Sequence, residues 1–333
     1  MAGRTSAPGS GSTADRAAQG WAALEAACFR RDRRGGLVVR QGAGAAPAFL
    51  WPYSQVLHTA VVMGRLRGDD TQAAALFTGL ERYRRGPALA AAVGGGRRYL
   101  DDNAWVGLAA SAGGRHGLAR SLDRWVRAGE DPRGGVAWRE DLPSRHACST
   151  GAAALLALRV GASAADLAFA QRCRAFLAGP LARADGLVAD HVDAAGRVEP
   201  TAWSYNQGLA VGVDVLLHRE GVPGALGRAH LLADRAVGHF TTDDRLWRQP
   251  PAFVAVLLRM LLLLHTVDPD PGWLGVVDAY LERAWDEGRD PASGLFRAGG
   301  IGRYDEGLAL DQAAVVQLYA LRALPVEAAS ALA

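Results

Sequence analysis

Lysine is absent from this sequence, so all 37 of its basic residues are arginines. They are interspersed with 34 acidic residues and leave a net charge of only +3. No basic stripe of the kind that follows a nucleic-acid backbone is present, so no nucleic-acid partner is expected. The pI near 9.0 reflects arginine's high pKa rather than an anionic partner. Cysteine is scarce as well. Cys28, Cys148 and Cys173 are far apart, odd in number and free of CxxC spacing, which excludes a zinc knuckle or a disulfide framework and leaves three small hydrophobes. There is no HExxH and no GxSxG, and Gly94-Gly95-Gly96 lacks the following Lys-Ser/Thr of a phosphate cradle. Asp190-His191-Val192-Asp193 mixes metal-ligand types, but no second ligand cluster accompanies it. It reads as a solvated turn, and neither a metal nor a cofactor is expected. Long hydrophobic runs are missing too: the most apolar stretch, Phe253 to Leu264, is interrupted by Arg259 and is too short to span a bilayer. Residues 1–18, rich in Gly, Ser, Ala and Thr without an apolar centre, read as a disordered tail and not as a secretory leader. The sequence as it stands is therefore expected in the cytoplasm, or outside the cell if a leader has been removed.

What is present is helical periodicity. Half of the residues are hydrophobic and 21% are charged, a globular balance with a large core. Apolar spacing at i, i+3 and i+4 marks twelve segments, at about 14–30, 52–66, 70–85, 101–112, 115–128, 146–160, 163–178, 203–219, 224–238, 250–266, 271–287 and 305–323. No proline-rich linker divides them, so residues 19–325 read as one domain. From the third segment on, the segments alternate in kind. Odd ones carry charges on one face, as with Glu81, Arg82, Arg84 and Arg85, or Asp278, Glu282 and Arg283. Even ones, such as Ala152–Val160, are apolar nearly all round. Helices apolar on every side are buried and those with a polar face lie outside. Six of each describe an all-α, (α/α)6 barrel; an open solenoid of helix hairpins is the competing arrangement, with repeats here too irregular to suit it.

The aromatic, polar-rich connections all come just before the even segments. They are Trp51-Pro52-Tyr53-Ser54-Gln55, Tyr99-Leu100-Asp101-Asp102-Asn103-Ala104-Trp105, Gly134-Gly135-Val136-Ala137-Trp138, Trp203-Ser204-Tyr205-Asn206-Gln207-Gly208, Trp247-Arg248-Gln249-Pro250 and Tyr304-Asp305-Glu306. Parallel inner helices would gather these N-termini at one mouth, with five of the nine tryptophans beside carboxylates and amides. Flat rings stack on sugar faces while amides and acids take the hydroxyls, so the composition points to a carbohydrate cleft. Each motif also has a purely structural reading. Pro52 suits a first helical turn, Asp101 and Asp102 could cap a helix and complement its dipole, and Trp138 could be core. Tyr205-Asn206-Gln207-Gly208 could be a helix start whose glycine admits a close neighbour.

Tyr99-Leu100-Asp101-Asp102-Asn103-Ala104-Trp105, then Gly135-Val136-Ala137-Trp138, then Tyr205-Asn206-Gln207-Gly208, together resemble glycoside hydrolase family 76, the endo-α-1,6-mannanases. The likeness runs from Trp51 to Asp311-Gln312-Ala313-Ala314. It implies an (α/α)6 barrel and retaining hydrolysis of α-1,6-linked mannose, with Asp101 as nucleophile and Asp102 as general acid/base. Asn103, Trp105, Trp138, Tyr205, Asn206 and Gln207 would line the cleft, and Trp51 and Tyr53 belong to the same mouth. The partner expected is a mannose-containing oligosaccharide or glycan, met by a monomer. A retaining pair needs carboxyl groups about 5–5.5 Å apart, which adjacency on a helix does not itself guarantee. Another enzyme on the same barrel, an epimerase or an unsaturated-glycan hydrolase, is the alternative, as is a non-catalytic sugar-binding protein. Only His146 lies near an inner-helix start, which speaks against an epimerase's histidine pair.

Overall fold

The structure, a computed structural model, describes residues 11–33, 35–42, 44, 46–161, 163–296 and 308–333. Its helices are α1 (Thr13–Cys28), α2 (Leu50–Arg67), α3 (Thr71–Gly79), α4 (Leu100–Ala112), α5 (His116–Arg127), α6 (Ala147–Val160), α7 (Ala164–Ala178), α8 (Ser204–Arg219), α9 (Ala225–Thr241), α10 (Pro251–His265), α11 (Pro271–Arg283), α12 (Leu308–Ala323) and α13 (Val326–Leu332). The twelve periodic segments are the first twelve of these, with the Tyr304-Asp305-Glu306 connection outside the described residues.

The even helices form a ring. α2 packs on α4, α4 on α6, α6 on α8, α8 on α10, α10 on α12, and α12 returns to α2. That closure rules out an open solenoid. The odd helices make the outer layer: α1 lies on α12, α3 on α2, α5 on α4, α7 on α6, α9 on α8 and α11 on α10. The fold is an (α/α)6 barrel, and its division into layers follows the two kinds of helix surface. Thirteen residues of α10 are buried, whereas α5 hides only Ala119, Leu122, Asp123 and Val126. No helix among the described residues is long and apolar enough to cross a membrane.

Both ends of the domain lie further out than the sequence reading placed them. α1 begins at Thr13, inside the expected tail, because Ser12 and Asp15 form a reciprocal capping box and Ala17 and Trp21 are fully buried. At the other end, α13 packs on α10 and α12, beyond residue 325.

Two features fix the inner ring. Asp214, fully buried on α8, accepts from Arg174 of α7 at 2.6 Å and Arg228 of α9 at 3.0 Å, which clasps one inner helix to two outer ones. Gly208 is where α8 and α10 come closest: a Cβ there would lie 2.6 Å from Leu257 Cα and 2.8 Å from Val256 O, neither of which can rotate away. Gly208→Ala should therefore cost about 1–3 kcal/mol in denaturant unfolding. Gly227→Ala on α9, where a Cβ meets nothing within 4 Å, should instead stabilise by about 0.4–1 kcal/mol. Equal effects at the two positions would mean that the α8–α10 approach is loose.

Candidate active site

The first turns of the inner helices meet at one end. The Phe253 ring of α10 lies 4.1 Å from Tyr205 of α8, 5.4 Å from Trp203 and 6.0 Å from Trp51 of α2. Cys148 of α6 points its Sγ at Asp101 of α4, 3.4 Å away. The connections between helices fold back over this mouth as short hairpins. Leu100 N donates to Trp138 O, and Gly134 and Gly135 supply the positive φ values of 87° and 81° that turn the preceding hairpin. The Trp138 ring is thereby laid against the start of α4.

Asp101 is enclosed by protein except for a face on the cleft. Its Oδ2 accepts from Trp138 Nε1 at 3.2 Å and from the Cys148 thiol, and its Oδ1 accepts from the Asp102 N–H at 3.0 Å. Burial pushes its pKa up to about 6, against these three donors, which favour the carboxylate. Asp101 thus satisfies one first-turn N–H, part of the capping role, but the cap residue itself, Tyr99, makes no side-chain cap bond. The Cys148 thiol is pushed far above its ordinary pKa by burial and by the facing acids, so it acts as a neutral donor and not as a nucleophile.

Across Cys148 stands a residue that the sequence reading assigned to a solvated turn. Asp190 Oδ1 accepts from Asn206 Nδ2 at 3.1 Å and from Tyr205 OH at 3.5 Å, and Oδ2 contacts His191 Nδ1 at 2.9 Å. The turn reading holds for Asp193, which accepts from the Ala195 and Arg197 N–H groups, but not for its neighbours. A three-stranded ribbon, Arg145–His146, His191–Val192 and Val198–Glu199, pairs His146 with His191 and carries Asp190 and His191 into the mouth. Two-residue strands leave no alternation to read. His191 stacks on His146 (4.3 Å, 3°) and His146 on Trp138 (5.0 Å), whose ring meets Tyr99 edge-on (4.9 Å), one aromatic wall running from Asp190 to Asp101.

His146, Asp190 and His191 are also the one group of potential metal ligands found among the described residues, with ligand atoms within 4.8 Å of one another. Their geometry does not suit an ion. Parallel rings aim their nitrogen lone pairs along parallel planes, so a metal about 2.1 Å from a nitrogen of each would lie far out of at least one ring plane. Two histidines at the mouth also correct the single one counted from sequence. Burial and the neighbouring His191 depress His146 to about 3, so the ring is uncharged at neutral pH and cannot act as an imidazolium acid there.

Several residues expected to line the cleft are shut off from it. Asn103 and Gln207 are fully buried and clamp the preceding hairpins. Asn103 accepts from Leu89 N and donates to Leu89 O, and Gln207 does the same to Val188. Thr150 accepts from Val136 N, and Gln312 holds both main-chain groups of Phe296, so the device recurs on four inner helices. Tyr53 is core, its hydroxyl on Leu76 O and its ring 5.1 Å from Tyr83. Trp105 is 3% exposed, one turn below Asp101. Trp247 packs on Tyr280 and Arg283 of α11. Asn206 is buried but holds Asp190. What remains open to the cleft, each in part, is Trp51, Asp101, Asp102, Trp138 and Tyr205, joined by Asp190, His146, His191, Trp203 and Phe253. Gln207→Ala would leave both Val188 groups unpaired and should lose about 1–3 kcal/mol of stability. An unchanged melting temperature would mean that water replaces the clamp.

Half-open acids set between flat rings at the mouth of an (α/α)6 barrel equip an enzyme that works on sugars. The sequence profile of glycosyl hydrolase family 76 matches residues 15–252, and the chain belongs to that family. It is accordingly a glycosidase. No curated protein matches it in sequence. Among solved structures, it is similar to a family 76 mannosidase from Bacteroides thetaiotaomicron, with 21% identity, 92% of this chain and 97% of the other covered, and a TM-score of 0.78. The α-1,6-mannanase GH76A of Salegentibacter sp. HEL1_6 gives 22%, 92%, 98% and 0.75. An inactive variant of that enzyme, with two consecutive aspartates replaced, is in complex with α-1,6-mannotriose; it matches at 21% identity over 96% of this chain and 99% of its own, with a TM-score of 0.75. At these identities the likeness is one of fold.

Proposed function

We propose that the chain hydrolyses α-1,6-linked mannose in oligosaccharides or glycans, with retention, through Asp101 and Asp102. The observation that carries the reading is the environment of Asp101: a carboxylate at a helix entrance, stripped of most water and held by three donors, two of them weak or long. Such a group is ionised at neutral pH yet poorly solvated, which suits a nucleophile. The mannotriose complex of the similar mannanase supports the sugar and the linkage. In the first step Asp101 Oδ bonds to the anomeric carbon as the glycosidic C–O bond breaks, and Asp102 gives its proton to the departing oxygen. In the second, Asp102 takes a proton from water, whose oxygen displaces Asp101. The rings of Trp51, Trp138 and Tyr205 provide apolar faces for the sugars, and Asp190 provides an acceptor for hydroxyls.

The pH profile separates this assignment from its reverse. A nucleophile must be ionised, so kcat/KM on α-1,6-mannotriose should fall about tenfold per pH unit below a limb near pH 6. Trp138→Phe removes a donor that stabilises the carboxylate and should move the limb upward. A profile that instead declines above pH 6 makes Asp101 the acid. Absence of turnover on α-1,6-mannobiose to mannotetraose, with turnover of another linkage, overturns the substrate. Proton NMR of the first-formed product tests retention: α-mannose is expected, and β-mannose reverses it.

A further inference from the structure

The barrel axis below the candidate active site holds a second cluster of charge. Arg259, on α10, is 1% exposed, in the middle of the most apolar helix of the chain. Its guanidinium lies 5.6 Å from the Trp105 ring, on the side away from the mouth. One of its terminal nitrogens donates to Gln317 Oε1 at 3.0 Å, and another reaches His58 Nδ1 at 3.5 Å. The His58 Nε2–H is taken by Leu332 O at 2.8 Å, so Nδ1 is the unprotonated nitrogen and the ring is neutral. Burial, then Arg259, holds the His58 pKa well below its ordinary value, in keeping with that tautomer.

Two donors at this place have no acceptor among the described residues: Arg259 Nε and Gln317 Nε2, both buried. The next charge is of the same sign. Arg159, at the end of α6, donates to the main-chain oxygens of Ser330 and Ala333. Of the two guanidiniums, that of Arg259 has no carboxylate in ion-pair contact among the described residues. Burial lowers their pKa values to about 9 and about 10, which still leaves both charged at neutral pH. Beside them lies a cavity of about 20 Å³, lined by Arg259, Arg159, His58, Ser111, Leu155 and Met260 among others and closed by the end of α13. It has room for one body the size of a water molecule or a chloride ion.

A buried cation left without a counter-charge is strongly unfavourable. Here the missing partner has a defined character. It must accept hydrogen bonds, carry negative charge, tolerate the apolar walls given by Leu155 and Met260, and be small. Phosphate, sulfate and sugar carboxylates are too large for the cavity. We propose that the base of the barrel is a binding site for a single halide ion, chloride in the first instance, held by Arg259 and plugged by α13. The ion supplies the charge that Arg259 lacks and fastens α13 across the C-terminal ends of the inner helices.

The test uses the intact chain and sodium chloride, sodium bromide and sodium gluconate at matched ionic strength. The melting temperature should rise by a few degrees and saturate with either halide but not with gluconate. Arg259→Met, whose side chain suits the apolar surroundings, should fold and lose the halide response. Crystals of the unaltered chain grown in bromide should show an anomalous peak at hydrogen-bond distance from Arg259 Nε. A water molecule or a main-chain oxygen of the Ala331–Ala333 segment in that position, with no anomalous peak, overturns the proposal. So does a halide response that survives in Arg259→Met, since it would then come from ions elsewhere.

Discussion

Asp101→Asn should lower kcat by at least about 10⁴-fold for every leaving group, because the amide has no charge with which to attack the anomeric carbon. The substitution keeps the shape of the side chain and one of its two acceptor oxygens, enough for Trp138 Nε1 or the Asp102 N–H but not both, so the melting temperature should fall only slightly. Asp102→Asn should behave differently. A dinitrophenolate departs without a proton, so formation of the glycosyl-enzyme survives in this variant, while its hydrolysis slows for want of a base. Added azide needs no base and should restore turnover, giving the α-mannosyl azide. If azide instead rescues Asp101→Asn and yields the β-azide, the two roles are exchanged. If both variants retain full activity, the pair is a helix cap and the mechanism is removed.

How much of this was legible in the sequence depended on the range over which each signal acts. Burial on all sides leaves an unbroken apolar run, and a polar outer face leaves a stripe. These are local patterns, and they were enough to place twelve helices and divide them into layers. Asp101, Trp138 and Tyr205 were found because parallel inner helices must bring their N-termini together. The amides misled. Asn103 and Gln207 sit in the same motifs as the acids, but a buried amide offers a donor and an acceptor that match a main-chain N–H and C=O, and a hairpin took both. Trp105 misled for a similar reason: four residues on from Asp101, it is one turn deeper, where the ring meets Arg259 instead of a sugar. Asp190 and His191 were missed, and their meeting with His146 with them, because a ribbon of two-residue strands joins loops more than forty residues apart, a pairing that helical periodicity cannot carry. Gly208 was read correctly in its structural role, since a glycine inside an otherwise apolar helix commonly marks a close approach.

Asp190 gives the sharpest test of that missed half of the site. Its carboxylate ends the aromatic wall that begins at Tyr99, with Asn206, Tyr205 and His191 fixing it from three sides. Those contacts hold the carboxyl group in one orientation beside the aromatic wall. A carboxylate in that state is an acceptor for a pair of sugar hydroxyls, and a hydrogen bond to a charged group contributes about 1.5–3 kcal/mol. Asp190→Ala should thus reduce kcat/KM on α-1,6-mannotriose by about 10- to 100-fold. A loss in KM alone would mark uniform binding, and a loss in kcat would mean that the contact strengthens in the transition state. Asp193→Ala, three residues further on at the hairpin tip, should leave the kinetics unchanged. If Asp190→Ala lowers the melting temperature while kcat/KM stays at the wild-type value, the acid only braces Tyr205 and Asn206. In that case the cleft is built on Asp101 and Asp102 alone.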